Sequence, residues 1–216
     1  MATQHGSPQP LSAARIVATA IELADETGLA SMSIRKLGER LGAGTMATYR
    51  HVASREALVE LMIDAALGPP PTDIVAAPTW QIGVERWAAA TLARYGEHPW
   101  LIDAPVSNIL ANRNRALWLE SILQPLSATG LPLQQLLDAA LLIDGHARNT
   151  AYLRREVQRA GASSSEPPVV LPELLDPVRY PMMSQVLASG ALEDDSEQEL
   201  GFGLGRIIAG IEALAD

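Results

Sequence analysis

Residues 33–51 read SIRKLGERLGAGTMATYRH, and this stretch decides the fold. Ser33 is a good helix N-cap, and apolar residues recur on one helix face as far as Leu41. The turn over 42–44, Gly-Ala-Gly, then leads into a second helix predicted over 45–51. Two short helices joined by a three-residue turn that contains glycine are typical of a helix-turn-helix.

A helix on each side of this stretch completes a small domain. Ser12 is placed to cap a preceding helix that Gly28 would end, and Ser54 would cap a following helix that runs to about Leu67. The preceding helix would close a three-helix core over the motif with the apolar face Ile16, Ala20, Leu23 and Ala24. The sequence therefore predicts a helix-turn-helix domain over residues 1–67, ordered from about residue 11.

The second helix of the motif must present its side chains to solvent if it is to read a DNA groove. Threonine and alanine can contact a thymine methyl group, arginine can bond guanine, and tyrosine or histidine can reach a phosphate. Free N–H groups at the start of the first helix would bind a phosphate. From the residues alone, we predict DNA contacts from Ser33, Thr45, Met46, Ala47, Tyr49, Arg50, His51 and Arg55. A small helical subdomain without a DNA partner would explain the same spacing.

The charge of the chain is unevenly distributed around a net value of −9. Residues 1–55 carry six bases and four acids, whereas residues 56–216 carry ten bases and twenty-one acids. No acid lies between Leu41 and Ser54, which suits a phosphate-facing surface. The chain has no cysteine and no apolar run typical of a signal peptide or a membrane span. We therefore expect a cytoplasmic protein with no membrane partner.

The rest of the chain is predicted to be helical, which makes the expected fold all-α. The proline-rich run that begins at Gly68 predicts a linker over residues 68–78. A larger helical domain is expected over residues 79–216, because strand-like alternation is not sustained there. Its helices are predicted near 79–97, 99–110, 112–129, 132–159, 181–189 and 195–215, with a loop over 160–170.

Two of these helices have apolar faces that favour self-association. The helix that starts after Pro132 is apolar on several faces as far as about Leu153, so it is expected to be sandwiched between neighbours. The last helix carries small residues at every fourth position, Gly201, Gly205 and Ala209, which let helices approach closely. We expect these helices to form a four-helix interface in a homodimer. Packing within one chain is the alternative.

Aromatic and polar residues of the larger domain could line a cavity for a small organic ligand. The candidates are Trp87, Tyr95, Trp118, His146, Asn149 and Met182. Each also has a simpler structural explanation. His146 could be a core histidine with Asn149 as its hydrogen-bond partner, Trp118 could belong to the core, and Met182 could fill a gap.

No motif of an enzyme or a metal site accompanies these residues. The sequence contains no nucleophile elbow, phosphate loop or His-Glu-x-x-His pattern. Asp144 and His146 point in different directions on a helix. The glycines at 201, 203 and 205 follow no strand, so they do not form a dinucleotide fingerprint. The four histidines have no metal-ligand spacing. We expect no enzyme activity, metal or cofactor.

Residues 12–66 resemble the DNA-binding domain of TetR-type (tetracycline-repressor-like) transcription regulators. The resemblance is carried by the stretches Arg15-Ile16-Val17, Gly28-Leu29, Ser33-Ile34-Arg35-Lys36-Leu37, Leu41-Gly42, Thr48-Tyr49-Arg50-His51-Val52 and Arg55-Glu56-Ala57-Leu58. It implies that Arg35 reads a base and that Arg55 takes the place of a phosphate-contacting lysine. It also implies that the DNA lies against Thr45, Met46, Ala47 and Tyr49.

The larger domain resembles the tetracycline-repressor class of C-terminal domain through Trp87 and the stretches His98-Pro99-Trp100-Leu101 and Gly201-Phe202-Gly203-Leu204. The resemblance implies a helical dimer with an effector cavity. Pro71 stands where tetracycline repressors place a drug-binding histidine, and Trp87 where they place an asparagine. Neither tetracycline nor a magnesium–drug chelate is therefore expected as the ligand.

The combined expectation is a dimeric transcription regulator, a repressor, that binds a pseudo-palindromic operator and is released by a small organic effector. A helical regulator without a small-molecule effector is one alternative, and a helical enzyme is another. A cavity too small for an organic molecule would favour the first alternative, and turnover of a metabolite would favour the second.

Overall fold

The computed structural model describes residues 11–105, 112–163, 176–190 and 197–215, and within these ranges the chain is helical without any strand. The α-helices over these residues are α1 (Ala13–Thr27), α2 (Ile34–Leu41), α3 (Thr45–Tyr49), α4 (Arg55–Leu67), α5 (Trp80–Glu97), α6 (Arg113–Leu126), α7 (Leu133–Ser163), α8 (Pro181–Ser189) and α9 (Glu197–Ala215). Short 3-10 turns occupy Leu29–Ser31, Pro99–Asp103 and Ser127–Thr129. The predicted all-α fold is confirmed.

Serine side chains begin three of the four N-terminal helices. The hydroxyl oxygens of Ser12, Ser33 and Ser54 accept hydrogen bonds from backbone N–H groups three residues on, at 3.2, 3.3 and 3.1 Å. Each such cap contributes about 1 kcal/mol. Gly42 ends α2 with a φ of 65°, which residues with a side chain rarely adopt. Local signals in the sequence therefore set these boundaries.

The turn between α2 and α3 depends on a close approach at Gly38. A Cβ atom on this residue would lie 2.8 Å from the backbone oxygen of Ala43. The Ala43 N–H group in turn donates to the Gly38 carbonyl at 2.9 Å. The absence of a side chain lets the turn fold tightly onto α2, and this contact sets where α3 begins.

Two apolar cores lie within the described residues. The first is formed by α1, α2 and α4 and includes the fully buried Ile16 and Leu58. The second is formed by α5, α6, α7 and α9 and includes Val84 and Ile143. The first core extends to Trp100 in the turn after α5, so the helix-turn-helix unit packs directly on the larger domain.

Residues 68–78, predicted as a linker, are packed against the second core. Ile74 is fully buried there. The backbone oxygen of Gly68 accepts a hydrogen bond from the Trp118 indole at 2.9 Å. Arg86 donates to the backbone oxygen of Asp73 at 2.7 Å. Gly68, Asp73 and Ile74 therefore attach this segment to the larger domain.

Three predicted element boundaries are wrong. The helix predicted over 99–110 is a 3-10 turn that ends at Asp103. It stops there because Pro105 holds the preceding residue extended, with a ψ of 142°. Residues 106–111 lie outside the described residues. α3 ends at Tyr49, and the N–H groups of His51 and Val52 both turn back to the Thr48 carbonyl. α7 continues to Ser163, and the rest of the loop predicted over 160–170 lies outside the described residues.

Two other kinds of feature, a membrane-spanning helix and a metal-binding cluster, are absent from the described residues. No helix there has both the length and the apolar composition that crossing a membrane requires. Likewise, no group of three or more histidine, aspartate or glutamate side chains in that part of the chain is arranged to hold a metal ion.

Candidate DNA-contacting surface and effector cavity

The side chains of α3 and of the turn after it stand mostly in solvent. Met46 is 73% exposed and Tyr49 is 46% exposed. Thr45, Arg50 and His51 are also exposed, and Ala47 is half-buried. Thr48, by contrast, is fully buried and anchors the helix to the domain. The helix thus presents the residues that were predicted to read DNA.

The start of α2 carries a further positive charge, that of Arg35. Ser33 bonds one of the first N–H groups of α2 and leaves others without an intrahelical partner. Arg35 is exposed and pairs with Glu39 one turn later at 2.8 Å. An exposed ion pair of this kind contributes at most about 0.5 kcal/mol. Arg35 can therefore exchange Glu39 for a nucleic acid at little cost.

Two other arginines of this unit are bonded within the protein. Arg40 forms a two-bond ion pair with Glu26 on α1. The hydrogen bond and the charge of Arg40 keep the pKa of Glu26 below its usual value. Arg55 donates from Nη2 to the backbone oxygen of Leu29 at 3.0 Å. Arg55 therefore braces α4 against the turn after α1, and a phosphate contact would have to use its remaining N–H groups.

A cavity of about 120 Å³ lies between α4, α5, α6 and α7. The rings of Trp87 and Trp118 form one wall, edge to face with their centres 5.9 Å apart. The Trp87 indole donates to the backbone oxygen of Trp118 at 2.9 Å, and the Trp118 indole donates to Gly68. These bonds hold both rings in place. The remaining apolar wall is formed by Ile63, Leu67, Leu101, Leu119, Ile122, Ala140 and Leu141.

One part of the cavity wall is polar and consists of Thr91, Arg94, Tyr95, Arg115, Asp144 and Arg148. Arg148 donates from Nη1 to the backbone oxygen of Ile102 at 3.1 Å, and its guanidinium lies 5.8 Å from the centre of the Tyr95 ring. Arg115 donates from Nη2 to the backbone oxygen of Pro105 at 2.8 Å. Backbone carbonyls thus position both guanidinium groups.

Burial shifts the pKa values of three of these polar groups. It raises the pKa of Tyr95 to about 12. It also raises the pKa of Asp144, although the nearby Arg148 and Arg115 act in the opposite direction. Burial lowers the pKa of Arg115. All three shifts disfavour the charged form, so this wall is poorly solvated and a polar contact made there is stronger than one in water.

Three of the six residues predicted to line a cavity do line this one: Trp87, Tyr95 and Trp118. His146 lies instead where α7 and α9 meet, with Nε2 3.2 Å from the backbone oxygen of Leu200. Its ring occupies the space that a Cβ atom on Gly203 would need. Asn149 is exposed and Met182 is 66% exposed. His146, Asn149 and Met182 do not line the cavity.

Thr91, Arg94, Arg115, Asp144 and Arg148 are cavity residues that the sequence pattern does not single out. Two of them could have been noticed in the sequence, because the charged residues Asp144 and Arg148 lie one turn apart in a largely apolar stretch of α7. Arg115 lies on α6 and Thr91 on α5. Only the packing of these helices brings the polar groups to one cavity.

An apolar face of α7 and α9 remains exposed where the two helices pack together. Leu142 is 56% exposed, Phe202 is 76% exposed and Leu214 is 66% exposed. A shallow groove between the helices is lined in part by Ala139, Leu142, Ile207, Ile211 and Leu214. Apolar side chains grouped in this way on a surface usually mark a binding interface.

Known sequences are similar to this chain over most of its length. Residues 76–215 match the protein family described as "Tetracyclin repressor-like, C-terminal domain". The HTH-type transcriptional repressor DrrR1 of Streptomyces coeruleorubidus is 33% identical, and the match covers 96% of this chain and 80% of DrrR1.

Solved structures from Streptomyces coelicolor share the fold. Apo ActR matches with a TM-score of 0.74 and 24% identity, over 97% of this chain and 98% of ActR. The transcriptional regulator SCO7222, a TetR, matches with a TM-score of 0.71 and 27% identity, over 96% of this chain and all of that one. ActR has also been crystallised with (S)-DNPA and with actinorhodin. The chain therefore belongs to the TetR family of helix-turn-helix transcription regulators.

Proposed function

We propose that this regulator is a homodimeric repressor that acts in the cytoplasm, binds a pseudo-palindromic operator and is released from it by a small organic effector. The observation that carries the proposal is that α4 belongs to both parts of the molecule. Leu58 and Met62 of α4 are buried in the helix-turn-helix core, whereas Ile63 and Leu67 line the cavity. Occupancy of the cavity therefore acts on the helix that supports the DNA-binding unit.

The DNA-binding part of the proposal depends on α2 and α3. In a dimer, the two α3 helices would enter successive major grooves about 34–36 Å apart. Arg35 would read a base, and Ser33 and Arg55 would bind backbone phosphates. The base edges would lie against Thr45, Met46, Ala47 and Tyr49. Arg50 and His51 would contact the DNA from the turn that directly follows α3.

A second copy of the chain would cover the exposed face of α7 and α9. Exposure of apolar side chains such as Phe202 and Leu142 to water costs free energy. The burial of each in a dimer would therefore stabilise the dimer. The two helices of each protomer would form a four-helix interface about a two-fold axis. This symmetry matches a palindromic operator.

Polar bonds would transmit a change at the cavity to the DNA-binding unit by joining α4 to the start of α6. The Asn112 side chain donates to Glu60. The Asn114 N–H group donates to Oδ1 of Asp64 at 2.7 Å, and its side chain donates to the backbone oxygen of Asp64 at 2.8 Å. α6 also supplies Trp118 to the cavity wall. A ligand that displaces α6 would therefore move α4 with it.

The size of the cavity indicates how an effector would act. A volume of about 120 Å³ is close to the roughly 150 Å³ that holds benzene. It is below the roughly 300–1,000 Å³ of sites for drug-sized ligands. An effector with several rings would have to move the surrounding helices apart. It would favour the released form only as far as it binds the expanded cavity better. ActR, a protein of this fold, has been crystallised in complex with actinorhodin.

Selection of DNA from a random duplex pool tests the operator part. We expect an enriched inverted repeat whose half-sites are about one helical turn apart. Tyr49→Ala should abolish enrichment, whereas Tyr152→Ala on α7, where Tyr152 is similarly exposed at 44%, should leave it intact. Enrichment that survives Tyr49→Ala, or no enriched repeat at all, would contradict the proposed reading surface.

A thermal-shift screen of small molecules, followed by operator release, tests the effector part. A true effector should release the wild-type protein but not Leu141→Trp, because Leu141 lines the cavity and a larger side chain would block it. Leu117→Trp on α6, outside the cavity lining, is the matched control and should still respond. Release that is equal in all three proteins would place the effector elsewhere.

A further inference from the structure

The polar part of the cavity contains hydrogen-bonding groups that the fold leaves unused. The buried side-chain atoms that have no hydrogen-bond partner among the described residues include three in this part of the cavity: Oγ1 of Thr91, Nη1 of Arg115 and Nε of Arg148. All three residues line the cavity. Buried polar atoms are almost always bonded in folded proteins, so three exceptions around one cavity indicate a site built to receive a ligand.

The two guanidinium groups are held in place and still have donors to offer. Each guanidinium has five N–H groups in a planar fork. Arg115 uses Nη2 on the Pro105 carbonyl, and Arg148 uses Nη1 on the Ile102 carbonyl. An acceptor that enters the cavity would meet donors that need little reordering, which favours binding.

The charge balance of this wall is positive. Asp144 is the one carboxylate among the residues that line the cavity, and burial favours its neutral form by raising its pKa, whereas the charge of Glu60 acts on Arg115 from outside the lining. Arg94 is excluded from this balance because it already pairs with Glu97 at 2.6 Å. Positive groups are therefore in excess among the residues that line the cavity, and a counter-charge is bound strongly in such a poorly solvated place.

We propose that the effector is an organic carboxylate with an apolar ring. Its carboxylate would accept hydrogen bonds from Arg115 and Arg148, and its ring would lie against Trp87 and Trp118. A carboxylate suits this wall because its planar pair of oxygens matches a guanidinium fork. The inference rests on the proposed function, since it names the chemical class of the ligand for the same cavity.

A matched pair of single-ring compounds, phenylacetate and phenylacetamide, tests this inference in the full-length protein at pH 7. The two have the same ring and nearly the same shape, but only phenylacetate is charged. Calorimetry should give a dissociation constant at least about tenfold lower for phenylacetate. In Arg115→Gln this preference should fall to within about twofold, and in Arg113→Gln, an exposed neighbour on α6, it should persist.

The comparison of phenylacetate with phenylacetamide in the wild-type protein needs no variant. If Arg115→Gln does not fold, Arg148→Gln takes its place. Binding of phenylacetamide as tight as that of phenylacetate, or no binding of either, would overturn the inference. A preference that survives both arginine substitutions would do the same. These measurements use no DNA, so they are independent of the operator test. Operator release by neutral compounds alone would refute the carboxylate and leave the proposed repressor function standing.

Discussion

Replacing Gly38 by alanine tests whether the α2–α3 turn is as tightly packed as the structure indicates. The new Cβ atom would lie 2.8 Å from the Ala43 backbone oxygen, where ordinary contact begins at 3.4 Å. The carbonyl would have to retreat by about 0.6 Å to restore that contact. A backbone oxygen cannot rotate away as a side chain can, so the whole turn would have to shift.

Two opposing contributions determine whether Gly38→Ala raises or lowers the free energy of unfolding. Helix propensity alone favours alanine in the interior of α2 by about 0.8–1.0 kcal/mol. Overpacking of a tight site costs about 1–3 kcal/mol. Because the clashing atom belongs to the backbone, we expect the second term to win, with a net loss of about 1–2 kcal/mol. For a chain of this size, that loss lowers Tm by roughly 2–8 °C.

Gly44→Ala in the same turn is the matched control. A Cβ atom on Gly44 would meet nothing within 4 Å, and its φ is −70°. Reduced freedom of the unfolded chain favours alanine there, whereas the N-cap position favours glycine, so the change in stability should be within about 0.5 kcal/mol. Urea denaturation measures both variants, and operator affinity of the folded Gly38→Ala protein should also fall. A Gly38→Ala protein that is more stable than wild type would refute the close-packing argument.

Three further predictions concern the dimer, a helix cap and the link between α4 and α6. Phe202→Glu should yield monomers in light scattering, because a dimer would bury the new carboxylate, whereas Leu117→Glu should stay dimeric. A dimeric Phe202→Glu protein would exclude the exposed face of α7 and α9 as the interface. Ser54→Ala should lower the free energy of unfolding by about 1 kcal/mol, measured with urea, and an unchanged value would mean that the cap contributes nothing. Asp64→Ala removes the acceptor of the Asn114 N–H group. It should preserve operator affinity but reduce the factor by which an effector weakens it, and an undiminished response would show that this bond transmits nothing.

The helix-turn-helix was predictable because its signals are local. The caps at Ser12, Ser33 and Ser54 and the glycine at 42 act on residues within one helical turn of themselves, and each lies where it was predicted. The failures are also instructive. The helix predicted over 99–110 stops early because Pro105 outweighs the apolar pattern that precedes it.

The residues that line the cavity could be predicted only in part. Trp87, Tyr95 and Trp118 could be selected because aromatic residues of a ligand-binding domain often line its cavity. His146 could not be assigned, since a histidine on an apolar stripe reads the same whether it faces a ligand or, as here, the backbone of α9. The polar wall combines residues from α5, α6 and α7 and has no signature in any one segment.

The amino-acid sequence alone determined where most helices begin and end, which of them form the DNA-binding unit, and the family to which the chain belongs. Capping, helical periodicity and turn chemistry act between residues that are close along the chain. Only the tertiary structure decided that Arg55 bonds α4 to the turn after α1, that Arg115 and Arg148 meet at one cavity, and that α4 both belongs to the first core and lines this cavity. Contacts between segments tens of residues apart depend on how whole helices pack, and many sequences with the same local pattern could pack differently.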